Sequence, residues 1–162
     1  MPRRSVLVAA TAAALAGAAT LSVGQHNHQP GSHASPQQAD ARMFVQLPDQ
    51  LREHTLANMR DHLLALQQIQ AALAERAYDQ AARIAETRLG MSSLQTHGAH
   101  EVAKYMPQGM QDAGTSMHRS ASRFAVSLQE AAISNDLRKP LGELAAVTAS
   151  CVACHAGYRI IK

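Results

Sequence analysis

The sequence has no tryptophan, two phenylalanines and three tyrosines, so aromatic residues make up 3% of its 162 positions. Sheet-built cores lean on aromatic and β-branched side chains. Here the core must come from Leu, Ala, Ile, Val and Met, most of which favour helices. There are two cysteines, Cys151 and Cys154, and a zinc site of paired C-x-x-C motifs is excluded because no second pair exists. Charge of one sign is also scarce. The formal net charge is +3 from 15 basic and 12 acidic side chains, and two of those basic residues, Arg3 and Arg4, stand in a segment read as an export signal. Without them 13 basic residues face 12 acidic ones, a near-neutral balance that gives no electrostatic case for nucleic acid. No internal repeat and no second domain are visible.

What is present begins with that signal. Arg3 and Arg4 form a positive start, and Ser5 to Val23 is an apolar, Ala-rich run ending in small residues. Cleavage is expected after residue 24, and the chain meets a membrane only if this run stays uncleaved. Residues 25–47 open with His26, His28 and His33 among Pro, Gln and Ser, a polar composition that reads as a flexible linker. Histidines in such a tether can also capture a divalent metal weakly.

From Pro48 the pattern turns helical. Leu56, Met59, Leu63, Leu66, Ile69 and Leu73 recur at spacings of three and four and predict one inward stripe on a first helix capped by Asp49. A second helix is expected from Tyr78 through Ile84, Leu89 and Met91 toward Gly98. Pro107, Gly109 and Gly114 predict a crossing loop. The third helix follows from Thr115 through Phe124, Val126, Leu128 and Ile133. The fourth starts near Asn135 or Asp136, tolerates Pro140 in its first turn, and carries Leu144, Val147, Cys151, Cys154 and Tyr158. The expected fold is all-α, an antiparallel four-helix bundle over residues 48–162, with no strands.

The chemistry concentrates at Cys151-Val152-Ala153-Cys154-His155, the C-x-x-C-H spacing of covalent haem attachment. On a helix, positions i, i+3 and i+4 share a face. Two thiols so placed can form thioethers while the adjacent imidazole points at an iron. A redox disulfide of the C-x-x-C type sits at the start of a helix after a strand, whereas this pair lies deep in a last helix. One covalent haem c, near the end of that helix, is therefore the expected cofactor.

The run Cys-x-x-Cys-His-x-x-Tyr-Arg, here Cys151 to Arg159, closing a four-helix chain resembles the class II c-type cytochromes, the cytochrome c′ family. The resemblance implies a periplasmic bundle whose haem is high-spin and five-coordinate in some members and low-spin and six-coordinate in others. It makes His155 the axial iron ligand and sets Arg159 and Arg52 beside the haem propionates. It puts the distal residue four positions after Arg52, at Leu56, which cannot ligate iron. Met59, one turn on, is the candidate sixth ligand. His97, His100, Met110, Met117 and His118 are further candidates near the haem end, whereas His54 and His62 read as polar-face residues. Each of these has an ordinary packing or surface role as its alternative.

Function follows from the haem more than from the fold. The first expectation is a one-electron carrier working with a redox partner protein, because this role survives either ligation state. The alternative is a five-coordinate module binding nitric oxide or carbon monoxide under Leu56. No distal acid and base pair is identified, so an enzyme is not expected. The resemblance also implies a homodimer packed through the first two helices. Export itself is testable: the mature chain should begin between about Ala19 and Ala34 and be recovered from the periplasm. Intact-mass analysis of the exported protein decides it, and a cytoplasmic protein beginning at Met1 or Pro2 would contradict the reading.

Overall fold

A computed structural model of the chain describes residues 40–162. The expected signal segment, the histidines at 26, 28 and 33 and the linker up to residue 39 lie outside the described residues. The elements in order are strand β1 (Met43–Gln46), helix α1 (Asp49–Ala74), helix α2 (Tyr78–Arg88), a 3-10 turn (Met91–Ser93), helix α3 (Ala99–Ala103), helix α4 (Gln108–Ser134), helix α5 (Arg138–Gly157) and strand β2 (Tyr158–Ile161). The all-α expectation holds in its coarse form: five helices dominate the described residues, and a single pair of short strands accompanies them.

That strand pair is the first departure from the sequence reading. β1 and β2 pair in parallel, with Met43 opposite Tyr158, Phe44 opposite Arg159, Val45 opposite Ile160 and Gln46 opposite Ile161. β1 falls in the stretch taken as linker, yet Val45 and Leu47 are buried. Four residues are too few for an alternating pattern to stand out, and the partner strand lies more than 100 residues away, so no local signal announces it. Tyr158, expected on the last helix, is the first residue of β2.

Pro48 precedes α1 with extended backbone, φ −51° and ψ 142°, and Asp49 stands in the first turn rather than at the cap, where its charge complements the helix N-terminus. The inward face differs from the predicted stripe at one fork. Four residues after Met59 stands Leu63, which is 70% exposed. Three residues after it stands His62, which turns toward the interior, followed by fully buried Ala65 and Ile69. Hydrophobicity chose the wrong branch because it cannot foresee a buried imidazole. The helix closes at Glu75, and Arg76 adopts the left-handed conformation, φ 57°. Its N–H donates to the Leu73 carbonyl at 3.0 Å, and that of Ala77 to Ala72 at 2.8 Å, so the last turn keeps its hydrogen bonds.

α2 ends at Arg88, earlier than expected. Arg88 reaches across to α1, where its Nε donates to the Asp61 carboxylate at 3.0 Å, and its terminal nitrogens also meet that carboxylate and the Gln68 side-chain oxygen. Ala81 and Ala85 are fully buried on α2, small enough to let it pack closely against α1 and α4.

α4 starts at Gln108, directly after Pro107, so the predicted crossing loop is mostly helix. Gly109 and Gly114 break nothing. A Cβ at Gly109 would collide with the Tyr158 hydroxyl, and Gly114 has open space beside it because it lines a cleft. Glycine here admits a close neighbour instead of ending a helix. Asn135, left-handed at φ 57°, terminates α4, and Pro140 sits in the first turn of α5 as expected.

Phe124, Ile69, Leu89, Leu128 and Val147 are the largest fully buried apolar side chains and join α1, α2, α4 and α5 in one core. A second cluster of Val45, Leu47, Val102 and Met110 ties β1 and α3 to the start of α4, with Cys154, Tyr158 and Ile160 packed on it. Truncation of Phe124 to alanine should cost about 3–5 kcal/mol by opening a cavity. The same truncation at Ile133, which is 89% exposed, should stay within about 0.5 kcal/mol. Urea unfolding of the two variants measures both.

Candidate functional site

The helical register of α5 sets Cys151, Cys154 and His155 on one face, and all three line a cleft of about 230 Å³. Both thiols are free and half-buried. Burial pushes each thiol pKa up, and for Cys154 the neighbouring Cys151 adds to it. His155 itself is exposed at the mouth.

The other walls come from α1, α3 and α4. α1 contributes Thr55, Asn58, Met59 and His62. Asn58 fixes the facing turn by donating from its side-chain nitrogen to the His97 carbonyl at 3.1 Å. Val102 and Met106 come from α3 and the residues after it, and Met110, Gly114, Met117 and His118 from α4. Met59 thus shares the cleft with the C-x-x-C-H face. Leu56 does not line it; Thr55 holds that part of the wall. His100 is exposed and lies off the cleft, and His54 is exposed beside Gly98.

The two arginines fare differently. Arg52 is 17% exposed at its side chain, and its Nε is buried without a hydrogen-bond partner, the nearest carboxylate oxygen being Asp49 Oδ1 at 3.8 Å. A buried, unanswered N–H of a guanidinium is costly unless an anion meets it. Arg159 is exposed on β2. It donates to Asp40 at 3.1 Å and lies 6.0 Å from the centre of the Phe44 ring. Neither arginine lines the cleft.

The unexpected feature is a cluster of three imidazoles in the same cleft. The ring centres of His62 and His97 are 4.8 Å apart, those of His97 and His118 5.5 Å, and those of His62 and His118 6.2 Å. A carbonyl can only accept, so His118 Nδ1 carries the proton it shares with Leu89 O at 2.7 Å. Ser93 Oγ donates to the Gly90 carbonyl at 2.7 Å, which leaves it to accept from His97 Nδ1 at 3.3 Å. By this network both rings keep a bare Nε2. His62 Nε2 is buried with no partner.

Burial is the main cause that lowers all three pKa values, with the neighbouring imidazoles adding to it for His62 and His97; His62 falls to about 4. All three rings are therefore neutral at pH 7. From the sequence, His97 and His118 stand out only singly, and His62 reads as a polar-face residue. The signal that could have found it was its position three residues past Met59, on the inward side of the first helix.

An unfolded histidine titrates near 6.5, whereas His62 in the fold takes its proton only near pH 4. Between those values the unfolded chain binds the proton that the fold refuses, so this stability is fully present above about pH 6.5 and is lost as pH falls toward 4. In chelator, the urea midpoint should therefore fall from about pH 7 to about pH 4.5, and fall less in His62→Gln. Equal slopes in the two proteins would contradict this assignment.

Comparisons with protein-family models, with curated proteins and with solved structures found no match for the chain.

Proposed function

We propose that the protein is a periplasmic c-type cytochrome that holds one haem in this cleft and carries single electrons. The observation that carries the reading is the C-x-x-C-H run on one helical face, lining a cleft that Met59 also lines. Cys151 and Cys154 would attach the haem as thioethers, and His155 would ligate its iron. When bound, that iron supplies reversible one-electron chemistry.

The residues present fit such a group. The lining is largely apolar, with Leu94, Val102, Ala103 and Ala113 on it, as suits a macrocycle shielded from water. Arg52 and Arg159, which the resemblance sets beside the propionates, stand off the cleft lining and are paired with Asp49 and Asp40. Met59 is the better sixth-ligand candidate because it lines the cleft and Leu56 does not. A thioether ligand favours reduced iron and suits a carrier. The alternative reading, a five-coordinate module binding nitric oxide or carbon monoxide, rests on an open face under Leu56.

The proposal includes the antiparallel four-helix bundle of the resemblance, formed by α1, α2, α4 and α5. Three-residue connections at 75–77 and 135–137 favour antiparallel neighbours within α1–α2 and α4–α5. Its redox partner would meet the exposed side of α5 at Val152. The implied homodimer would use α1 and α2, where Leu63 and Leu64 are exposed.

Acid-acetone extraction of the exported protein should leave haem on the wild-type chain and remove it from a Cys151→Ala, Cys154→Ala double variant. Haem retained by the double variant would defeat attachment through this motif. Met59→Leu should speed carbon monoxide binding to the reduced protein and shift its spectrum. An unchanged spectrum and rate would remove Met59 from the iron without touching the attachment claim.

A further inference from the structure

We propose that His62, His97 and His118 form a second metal site, one that takes a divalent cation of the zinc or copper class and is separate from the haem iron. None of the three belongs to the C-x-x-C-H run, so the inference stands or falls apart from the haem reading.

The case begins with spacing. Three imidazoles sharing one tetrahedral ion, with metal–nitrogen bonds of about 2.0–2.1 Å, place their ring centres about 5 Å apart. The separations here are 4.8, 5.5 and 6.2 Å. The ligands come from three elements: α1, the turn before α3, and α4. Among the described residues no group of three or more His, Cys, Asp or Glu side chains, this one included, is arranged to hold a metal ion as it stands. Closing this one needs the His62 ring, which makes no hydrogen bond, to turn about χ2, a broad torsion.

The second argument is the state of the nitrogens. His118 gives its Nδ1 proton to the Leu89 carbonyl and His97 gives its own to Ser93, so each is left with Nε2 as a free lone pair. Backbone or hydroxyl partners on the far nitrogen are the usual outer support of a metal-bound histidine, fixing the tautomer and aiming the ring. His62 Nε2 is buried and has no partner, a position that costs free energy unless something meets that nitrogen. Burial keeps all three imidazoles in the neutral form that binds metal.

The surroundings tolerate the charge. Asp61 bears on both His62 and His97, although its carboxylate is also bonded to Arg88. Three protein ligands leave a fourth position free, and all three rings line the cleft. Thioether sulfur from Met117, on α4 next to His118, would favour copper over zinc.

Equilibrium dialysis of the full-length exported protein against zinc sulfate, with metal counted by mass spectrometry, tests the site. A His26→Gln, His28→Gln, His33→Gln variant serves as background to remove the tail. One zinc per chain is expected on this background. His62→Gln should weaken it more than tenfold, since loss of an outer-shell partner alone costs about 10–100-fold. His62 makes no hydrogen bond in the fold, so this variant breaks none, and unchanged circular dichroism would confirm that it folds. The haem spectrum should be the same with and without zinc. Zinc that disappears with the tail histidines, or that survives His62→Gln, would overturn the site. So would a chain that takes no zinc but whose haem spectrum shifts in His62→Gln, because the imidazoles would then serve the haem iron.

Discussion

The last turns of α5 are the constraint on which the rest of the arrangement depends. Cys151, Cys154 and His155 share a face only while the helix stays regular through Gly157, and the chain must then leave it at once. β2 begins at Tyr158 and is pinned along β1, so residues from both ends of the described chain are zipped together immediately beyond His155. Tyr158 covers Gly109 at the start of α4, and the absence of a Cβ there lets its ring come that close. A short parallel pair is weak by itself. Here Val45, Leu47, Val102 and Met110 bury beside it, and Cys154 packs on the same cluster.

The cleft is the space that this closure leaves between two apolar clusters. Met117 and Cys151 belong to the larger core and Met110 and Cys154 to the smaller, and all four line it. The rigid part of its wall is α1, tied to α2 by Arg88 and to the turn before α3 by Asn58. Fixed helices on several sides can hold side chains at defined distances more tightly than loops can. Such rigidity would serve the proposed carrier, whose rate suffers when its surroundings must rearrange with each electron, and equally the proposed set of three imidazoles.

Much of the helical content was legible in the sequence, because long runs with a 3.6 period and few β-formers have no other stable reading. The C-x-x-C-H run and its position on the last helix were legible too, since spacing alone fixes the shared face. The failures have particular causes. Pro107, Gly109 and Gly114 read as a loop because local rules treat glycine as punctuation, whereas Gly109 answers to Tyr158, which is 49 positions away in sequence. β1 was hidden because its partner is remote. Leu63 was assigned inward and His62 outward because an apolar residue is the better guess when nothing else is known. The imidazole cluster forms from three separated segments and could not be read from any one of them.

An optical spectrum of the purified exported protein, oxidised and then reduced, tests the central claim most directly. The account predicts haem absorption that stays with the polypeptide, with the sharp bands of a six-coordinate c-type centre in the reduced state. A correctly exported, folded chain with no haem absorption would contradict it.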